Sequence, residues 1–267
     1  MISLAKQKMK KAVVTGSEGF IGKFLCEKIE ALGAEVVRID RCLGIEALRI
    51  GEFLDGVDAV FHLAAQTSVF NENLQQIEHD NISTFIEVVE QCNRHGIPLV
   101  YASSSTANGC NTTSMYGLSK RFDEEFASIY AKNATGVRLH NVYGPNQRPG
   151  TLLHYLMTRE NVTLFNNGEN IRCFTYIDDA VDGLISALEY EGKLVNVVNY
   201  EPVRIEDFSK EVAKYNGVEL ILLPEKRKHD NVMQDVDRNM FTIPLRYKNY
   251  REGIKQVFSY GKEATRQ

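Results

Sequence analysis

Short apolar strands alternating with helical periods, and a glycine turn directly after the first strand, predict an α/β fold. The expected architecture is a Rossmann-type doubly wound parallel sheet with a smaller mixed α/β C-terminal substrate lobe. "KAVVT" (11–15) reads as a buried strand, and Phe20 to Leu32 as an amphipathic helix ending near Gly33. "AEVVRID" (34–40) and "DAVFHLAA" (58–65) supply the second and third strands. Asn73 to His95 carries one long helical period, closed by Gly96 and Pro98, and "PLVYASS" (98–104) is the fourth strand. A helix over about Met115 to Lys132 leads to a fifth strand, "TGVRLHNV" (135–142). Strands so continuously apolar belong in a parallel sheet covered on both faces.

After about Gly144 the elements become shorter and mixed. They are "NVTLF" (161–165), a helix from about Asp178 to Tyr190, "LVNVVNY" (194–200), a helix near Ile205 to Tyr215, "VELILLP" (218–224) and a final helix near Gly253. The expected division is a sheet domain over 1–160 and a smaller lobe over 161–267, with interleaved segments and a shared cleft. A chain of 267 residues has room for both.

The net charge is -4 and the pI about 5.9, which disfavours a nucleic-acid partner, since that needs clustered Lys and Arg. The basic run "KQKMKK" is expected to be a solvated tail, and "MISLAKQKMKK" lacks the apolar core of a signal peptide. No apolar run approaches the ~18 residues of a membrane span. Cys26, Cys42, Cys92, Cys110 and Cys173 are scattered, without CxxC or Cys/His spacing, so neither a disulfide frame nor a metal site is expected. Reduced thiols point to a cytoplasmic protein.

"VVTGSEGFIG" puts Gly16, Gly19 and Gly22 between a strand and a helix. Backbone N–H groups at such a turn face a pyrophosphate, and the helix dipole favours its charge. GxxGxxG is not the commoner GxGxxG, but Asp40 ends the next strand, where a carboxylate holds the ribose hydroxyls of NAD and repels a 2′-phosphate. Arg41 beside it leaves NADP as the alternative.

"SSSTANGCNTTSMYGLSK" (103–120) contains Tyr116 and Lys120, four apart on one face of a predicted helix. An ammonium beside a phenol favours the phenolate. Such a tyrosine takes a proton from a sugar hydroxyl while hydride leaves the carbon. Ser104 follows the fourth strand at its carboxyl end, where doubly wound sheets bind ligands, and its hydroxyl is placed to bond the same substrate oxygen. His62 and His140 lie inside apolar strands and read as packed core. Tyr176, Asp178 and Asp179 read as the organisers of a helix start.

In this order, "TGSEGFIG", "VFHLAAQTSV", "HDNIST", "YASSSTANG", "YGLSK", "VRLHNVYGPNQ" and "RCFTYIDDAVDGLISAL" are highly specific. The chain resembles the extended short-chain dehydrogenase/reductase family, in its nucleotide-sugar epimerase/dehydratase group (UDP-glucose 4-epimerase-like), through most of its length. The resemblance implies that Gly16, Gly19, Phe20, Ile21 and Gly22 wrap the pyrophosphate, that Asp40 binds the adenosine ribose, and that Leu63, Ala64, Ala65 and Asn81 lie along NAD. It makes Ser104, Tyr116 and Lys120 the catalytic set, with Tyr116 the acid/base and Lys120 on the nicotinamide ribose. Ser105, Asn141, Arg172 and Arg227 become substrate residues, the two arginines facing the diphosphate, whose paired oxygens suit a guanidinium fork. Asn141 has a second reading as a turn residue, Arg172 as a partner of Asp178 or Asp179, and Arg227 as part of a solvated run.

Dehydratases of the group carry an Asp-Glu pair after the catalytic Ser/Thr. Here Ser105 and Thr106 stand there, and the Glu of the related decarboxylases is also missing. Epimerisation of a nucleotide-diphosphate sugar at C4 is therefore the expected reaction, with a keto-sugar reductase or dehydrogenase on the same residues as the alternative. A non-catalytic NAD-binding sensor or scaffold fits less well. Three features depart from the family: Tyr116 follows Gly109 by only seven positions, the Asp40–His62 segment is short with Glu46 the one candidate for the adenine contact, and Asn108 replaces a Tyr. The resemblance also implies a homodimer through the helices at Asn73–His95 and Met115–Lys132.

Overall fold

The computed structural model describes residues 9–264. Lys6 and Lys8 of the basic run, and the stretch read for a leader before Met9, lie outside them. Six parallel strands form the main sheet in the order β2-β1-β3-β4-β5-β10. They are β1 (Lys11–Thr15), β2 (Glu35–Ile39), β3 (Ala59–His62), β4 (Leu99–Ser104), β5 (Ala134–Leu139) and β10 (Leu194–Val197). The order reverses between β1 and β3, and the loops leaving their carboxyl ends open the crevice where such sheets take ligands. β10 comes from the segment 194–200 read above as part of the smaller lobe, and it pairs with the outer edge of β5.

Alternation along β1 divides the core. Ala12 and Val14 face a cluster shared with Leu25 and Ile29 of α1 (Phe20–Ala31) and Ala180 and Leu184 of α6 (Ile177–Ser186). Val13 faces the opposite cluster, with Phe85 and Val88 of α3 (Thr84–His95) and Ala127 of α4 (Met115–Tyr130). Both faces of the sheet are covered, as the apolar strands require. Among the described residues no helix is long and apolar enough to cross a membrane.

The helical period of Asn73–His95 is not one helix. α2 (Leu74–Ile77) runs into a π-helical stretch, Glu78–Ser83, before α3 begins. Thr84 Oγ1 donates to the His79 carbonyl at 2.8 Å, a five-residue reach that matches the wide turn. The inserted residue turns Asp80 and Asn81 inward, and both are buried. α4 stops at Tyr130 rather than Lys132, because Asn93 accepts from the Lys132 N–H and donates to the Tyr130 carbonyl.

Beyond the sheet lie elements too short for the sequence to signal: α5 (Leu152–Thr158), β6 (Val142–Tyr143) paired with β9 (Thr175–Tyr176), and β8 (Ile171–Cys173) paired with β11 (Pro202–Arg204). β7 (Asn161–Leu164) pairs with β12 (Glu219–Leu222). Phe174 stacks on Phe208 of α7 (Ile205–Asn216) with centroids 3.9 Å apart, and Tyr143 packs edge-on against both. This knot joins the lobe to the carboxyl side of the sheet. α8 (Tyr250–Ala264) closes the described chain.

Candidate active site

A cleft of about 730 Å³ lies over the carboxyl ends of β1, β3 and β4. Its walls include Gly16, Gly19, Phe20, Ile21 and Gly22 from the first turn, Asp40 and Arg41 after β2, and Leu63, Ala64 and Ala65 after β3. Ser104, Ser105, Tyr116, Lys120 and Asn141 line the same cleft, as does Glu46.

The glycine turn is sterically obligatory. A Cβ on Gly22 would stand 2.1 Å from the Gly16 carbonyl oxygen, and Gly16 itself has φ +70° with Ala64 N 2.8 Å from where its Cβ would be. The turn is folded back by the Gly16 N–H donating to the Ile39 carbonyl. No side chain caps the start of α1 at Gly19, so its first N–H groups remain available to an anion. Asp40 accepts from the N–H groups of Glu18 and Cys42, both at 3.0 Å, which aims its carboxylate along the rim. These features fit a dinucleotide: a cradle with no room for a Cβ, an uncapped helix end, and an oriented carboxylate.

Arg41, on the same wall, is ion-paired. Its guanidinium meets the buried Asp80 at 2.6 Å, and Asp80 also holds His79.

The three serines of "SSS" are sorted by strand alternation. Ser103 Oγ points under the sheet and donates to Glu124, which in turn takes a two-point bond from Arg138. Ser104 Oγ accepts from the Thr106 N–H at 3.2 Å and from Thr106 Oγ1 at 2.9 Å, so its own O–H is left to donate into the cleft. Ser105 Oγ donates to Gln234 at 3.3 Å.

Tyr116 sits in the first turn of α4, whose N-cap Ser114 accepts from the Gly117 N–H. Gly117 lets this helix end press against the turn after β4, because a Cβ there would lie 2.8 Å from the Thr106 carbonyl oxygen. That contact brings Tyr116 to the Ser104 side of the cleft. Lys120, one turn on, is 3% exposed, and its Nζ bonds Asp123 at 3.0 Å. Burial pushes the Asp123 carboxyl up to about 6 against the pull of Lys120. His62 donates to or accepts from Thr15 Oγ1 under the same lysine, and burial, with the Lys120 charge, takes its imidazole down to about 3. It is a neutral core residue, as its apolar strand predicted.

The other expected site residues are held by contacts of their own. Asn81 is buried behind the wall, where its side chain holds the Gln66 main chain and Ser119 Oγ. Arg172 is buried and bonds Asp230 and the carbonyls of Ile171 and Asn231; the expected alternative partners, Asp178 and Asp179, bond Lys248 instead. Arg227 is exposed, with its guanidinium 4.2 Å from the Phe165 ring centre. Asn141 has φ +37°, donates to the Cys173 carbonyl and Gln234, and so unites the turn reading with a place on the cleft wall.

Gln66, Thr67 and Ser68 also line the cleft, within the quoted "VFHLAAQTSV", and Arg148 reaches across to bond Thr67. Gln234 lines it too, from a loop with no motif to mark it.

The family model for the NAD dependent epimerase/dehydratase family matches residues 12–199. The uncharacterized UDP-glucose epimerase YtcB of Bacillus subtilis (strain 168) is 29% identical over 70% of this chain and 76% of its own. A UDP-2-acetamido-2,6-beta-L-arabino-hexul-4-ose reductase of Pseudomonas aeruginosa is 31% identical over 72% of this chain and 52% of its own. The structure of UDP-glucuronic acid 4-epimerase from Bacillus cereus, in complex with UDP-glucuronic acid and NAD, superimposes with a TM-score of 0.80 at 25% identity, covering 95% of this chain and 99% of that one. With the family model matching residues 12–199, well over half of the chain and nearly all of the main sheet, the chain belongs to the NAD dependent epimerase/dehydratase family.

Proposed function

We propose that the protein is an NAD-dependent nucleotide-sugar epimerase acting at C4 of the sugar. One observation carries this reading: a single cleft holds both the glycine turn with Asp40 and the set Ser104, Tyr116 and Lys120. In the proposed reaction the Tyr116 phenolate oxygen takes the proton of the C4 hydroxyl, and Ser104 donates its free O–H to the C4 oxygen of the sugar. NAD, when bound, supplies the acceptor and later the donor of the C4 hydride. Lys120 would hold the nicotinamide ribose when NAD is bound, and its ammonium would stabilise negative charge on the Tyr116 oxygen. The keto sugar turns in the cleft, and Tyr116 returns the proton once the opposite face is presented.

Two features support NAD over NADP. The Asp40 carboxylate would repel a 2′-phosphate, and Arg41, next to it in the chain, is engaged by Asp80. Dehydration is disfavoured because Ser105 and Thr106 are uncharged and bonded to Gln234 and Ser104. Asn141 is the best-placed candidate for substrate contact. Arg172 and Arg227 would have to leave Asp230 and Phe165 to reach a diphosphate.

The Pseudomonas aeruginosa relative favours a second reading, a keto-sugar reductase that exchanges cofactor each cycle. Incubation with UDP-, dTDP-, GDP- and CDP-sugars separates the two. An inverted sugar formed without added NADH is expected; consumption of NADH on a keto sugar, with no inversion, would replace the epimerase by the reductase.

A further inference from the structure

The short loop between Gly109 and Tyr116 is not an open edge of the cleft. Asn111, 1% exposed, fastens it to the C-terminal segment. Its Nδ2 donates to the carbonyls of Ser105 (2.9 Å) and Asp235 (2.8 Å), and its Oδ1 accepts from the Asp235 N–H at 3.0 Å. Its own carbonyl accepts from Asn231 Nδ2 at 3.0 Å. A segment more than a hundred residues downstream is thereby held against the loop, and it carries Gln234 into the cleft beside Ser105 and Asn141.

The amide of Gln234 is oriented. Asn141 Nδ2 donates both to the Cys173 carbonyl (3.3 Å) and to Gln234 (2.9 Å). A carbonyl accepts only, so the Asn141 atom is its nitrogen and the Gln234 atom facing it is Oε1. Ser105 Oγ donates to the same Oε1 at 3.3 Å. Both acceptor positions of Gln234 are thus taken by the protein, while its Nε2 donors have no partner among the described residues.

We propose that Gln234 is a specificity-determining residue whose amide N–H groups read an acceptor oxygen on the sugar of the substrate. The inference rests on the nucleotide-sugar reading above. The favoured class is a sugar that keeps oxygen at the position facing Gln234, as a hydroxyl or an acyl-amide carbonyl. A deoxy sugar leaves those donors unpaired after water is excluded, which costs binding.

Gln234→Glu isolates the donor. A carboxylate still accepts from Ser105 and Asn141, but it has nothing to donate. Gln234→Met removes all three bonds. The measurement is kcat/KM for UDP-glucose against its 2-deoxy and 6-deoxy analogues, with NAD affinity and thermal midpoint as controls. The wild type is expected to prefer the oxygen-bearing sugar. In both variants that preference should fall about tenfold at one of the two positions, with NAD affinity unchanged and the midpoint of the Glu variant held. A wild type indifferent to both oxygens, or variants that keep its preference, would overturn the inference and leave the epimerase reading standing. A wild type that turns over no nucleotide sugar would overturn both.

Discussion

Lys120 Nζ lies 3.0 Å from Asp123 Oδ2, with side-chain exposures of only 4% and 0%. The pair sits on the inner face of α4, and Asp123 Oδ1 has no hydrogen-bond partner among the described residues. A buried pair with an unmet oxygen contributes little net stability, since removing charges from water costs about as much as their attraction returns. Its value is in holding a charged lysine beneath the cleft. Asp123→Leu should cost about 3–5 kcal/mol by stranding that charge. Adding Lys120→Met should restore most of the loss and yield a folded, inactive protein. Chemical denaturation of the two variants checks this; a double variant no more stable than the single would refute it.

His140 is buried just beyond β5, beside the Asn196 side chain, and neither ring nitrogen has a hydrogen-bond partner of normal geometry among the described residues. Burial takes its pKa down to about 4 from an ordinary 6.5. Between those values the unfolded chain binds the proton and the folded one does not, so stability is present above pH 6.5 and declines as pH falls towards 4. The expected slope is about 1.4 kcal/mol per pH unit. His140→Leu should be at least as stable as wild type at pH 7, with an advantage that widens at pH 5. Urea melts at the two pH values measure it.

Gly22→Ala places a methyl where the Gly16 carbonyl oxygen is only 2.1 Å away. The first turn must move, and the backbone N–H groups with it. NAD affinity should weaken at least tenfold, on the order of 1.4 kcal/mol or more, by calorimetric titration, while the helical signal in circular dichroism persists.

Asp40→Ala removes the oriented carboxylate and two main-chain hydrogen bonds. NAD affinity should fall, and the preference for NAD over NADP should narrow by about tenfold, equivalent to ~1.4 kcal/mol. Competition between the two cofactors reads the change directly. An unchanged ratio would remove Asp40 from the ribose.

The sheet was legible because its strands are short apolar runs in a fixed alternation with helices, and the glycine turn marks where the chain reverses. Asp40, Ser104, Tyr116 and Lys120 follow from local spacing on those elements. The π-helical stretch was not legible: apolar spacing does not register one extra residue, and so gives no sign that Asn81 is turned inward onto Gln66 and Ser119. Nor could local pattern pair Arg172 with Asp230, 58 positions away, or bring Gln234 beside Ser105 across 129. Such contacts are set by how an irregular C-terminal segment lies over the sheet. No period or motif records that path.

The proposed return of hydride within one closed cleft is tested most directly with a nucleotide sugar carrying deuterium at C4, turned over in ordinary water. The expected product is the C4-inverted sugar with deuterium still at C4 in nearly every molecule, formed by wild type and absent with Tyr116→Phe, which still binds NAD. Inversion accompanied by loss of the label to water, or full turnover by the Tyr116→Phe variant, would contradict the account.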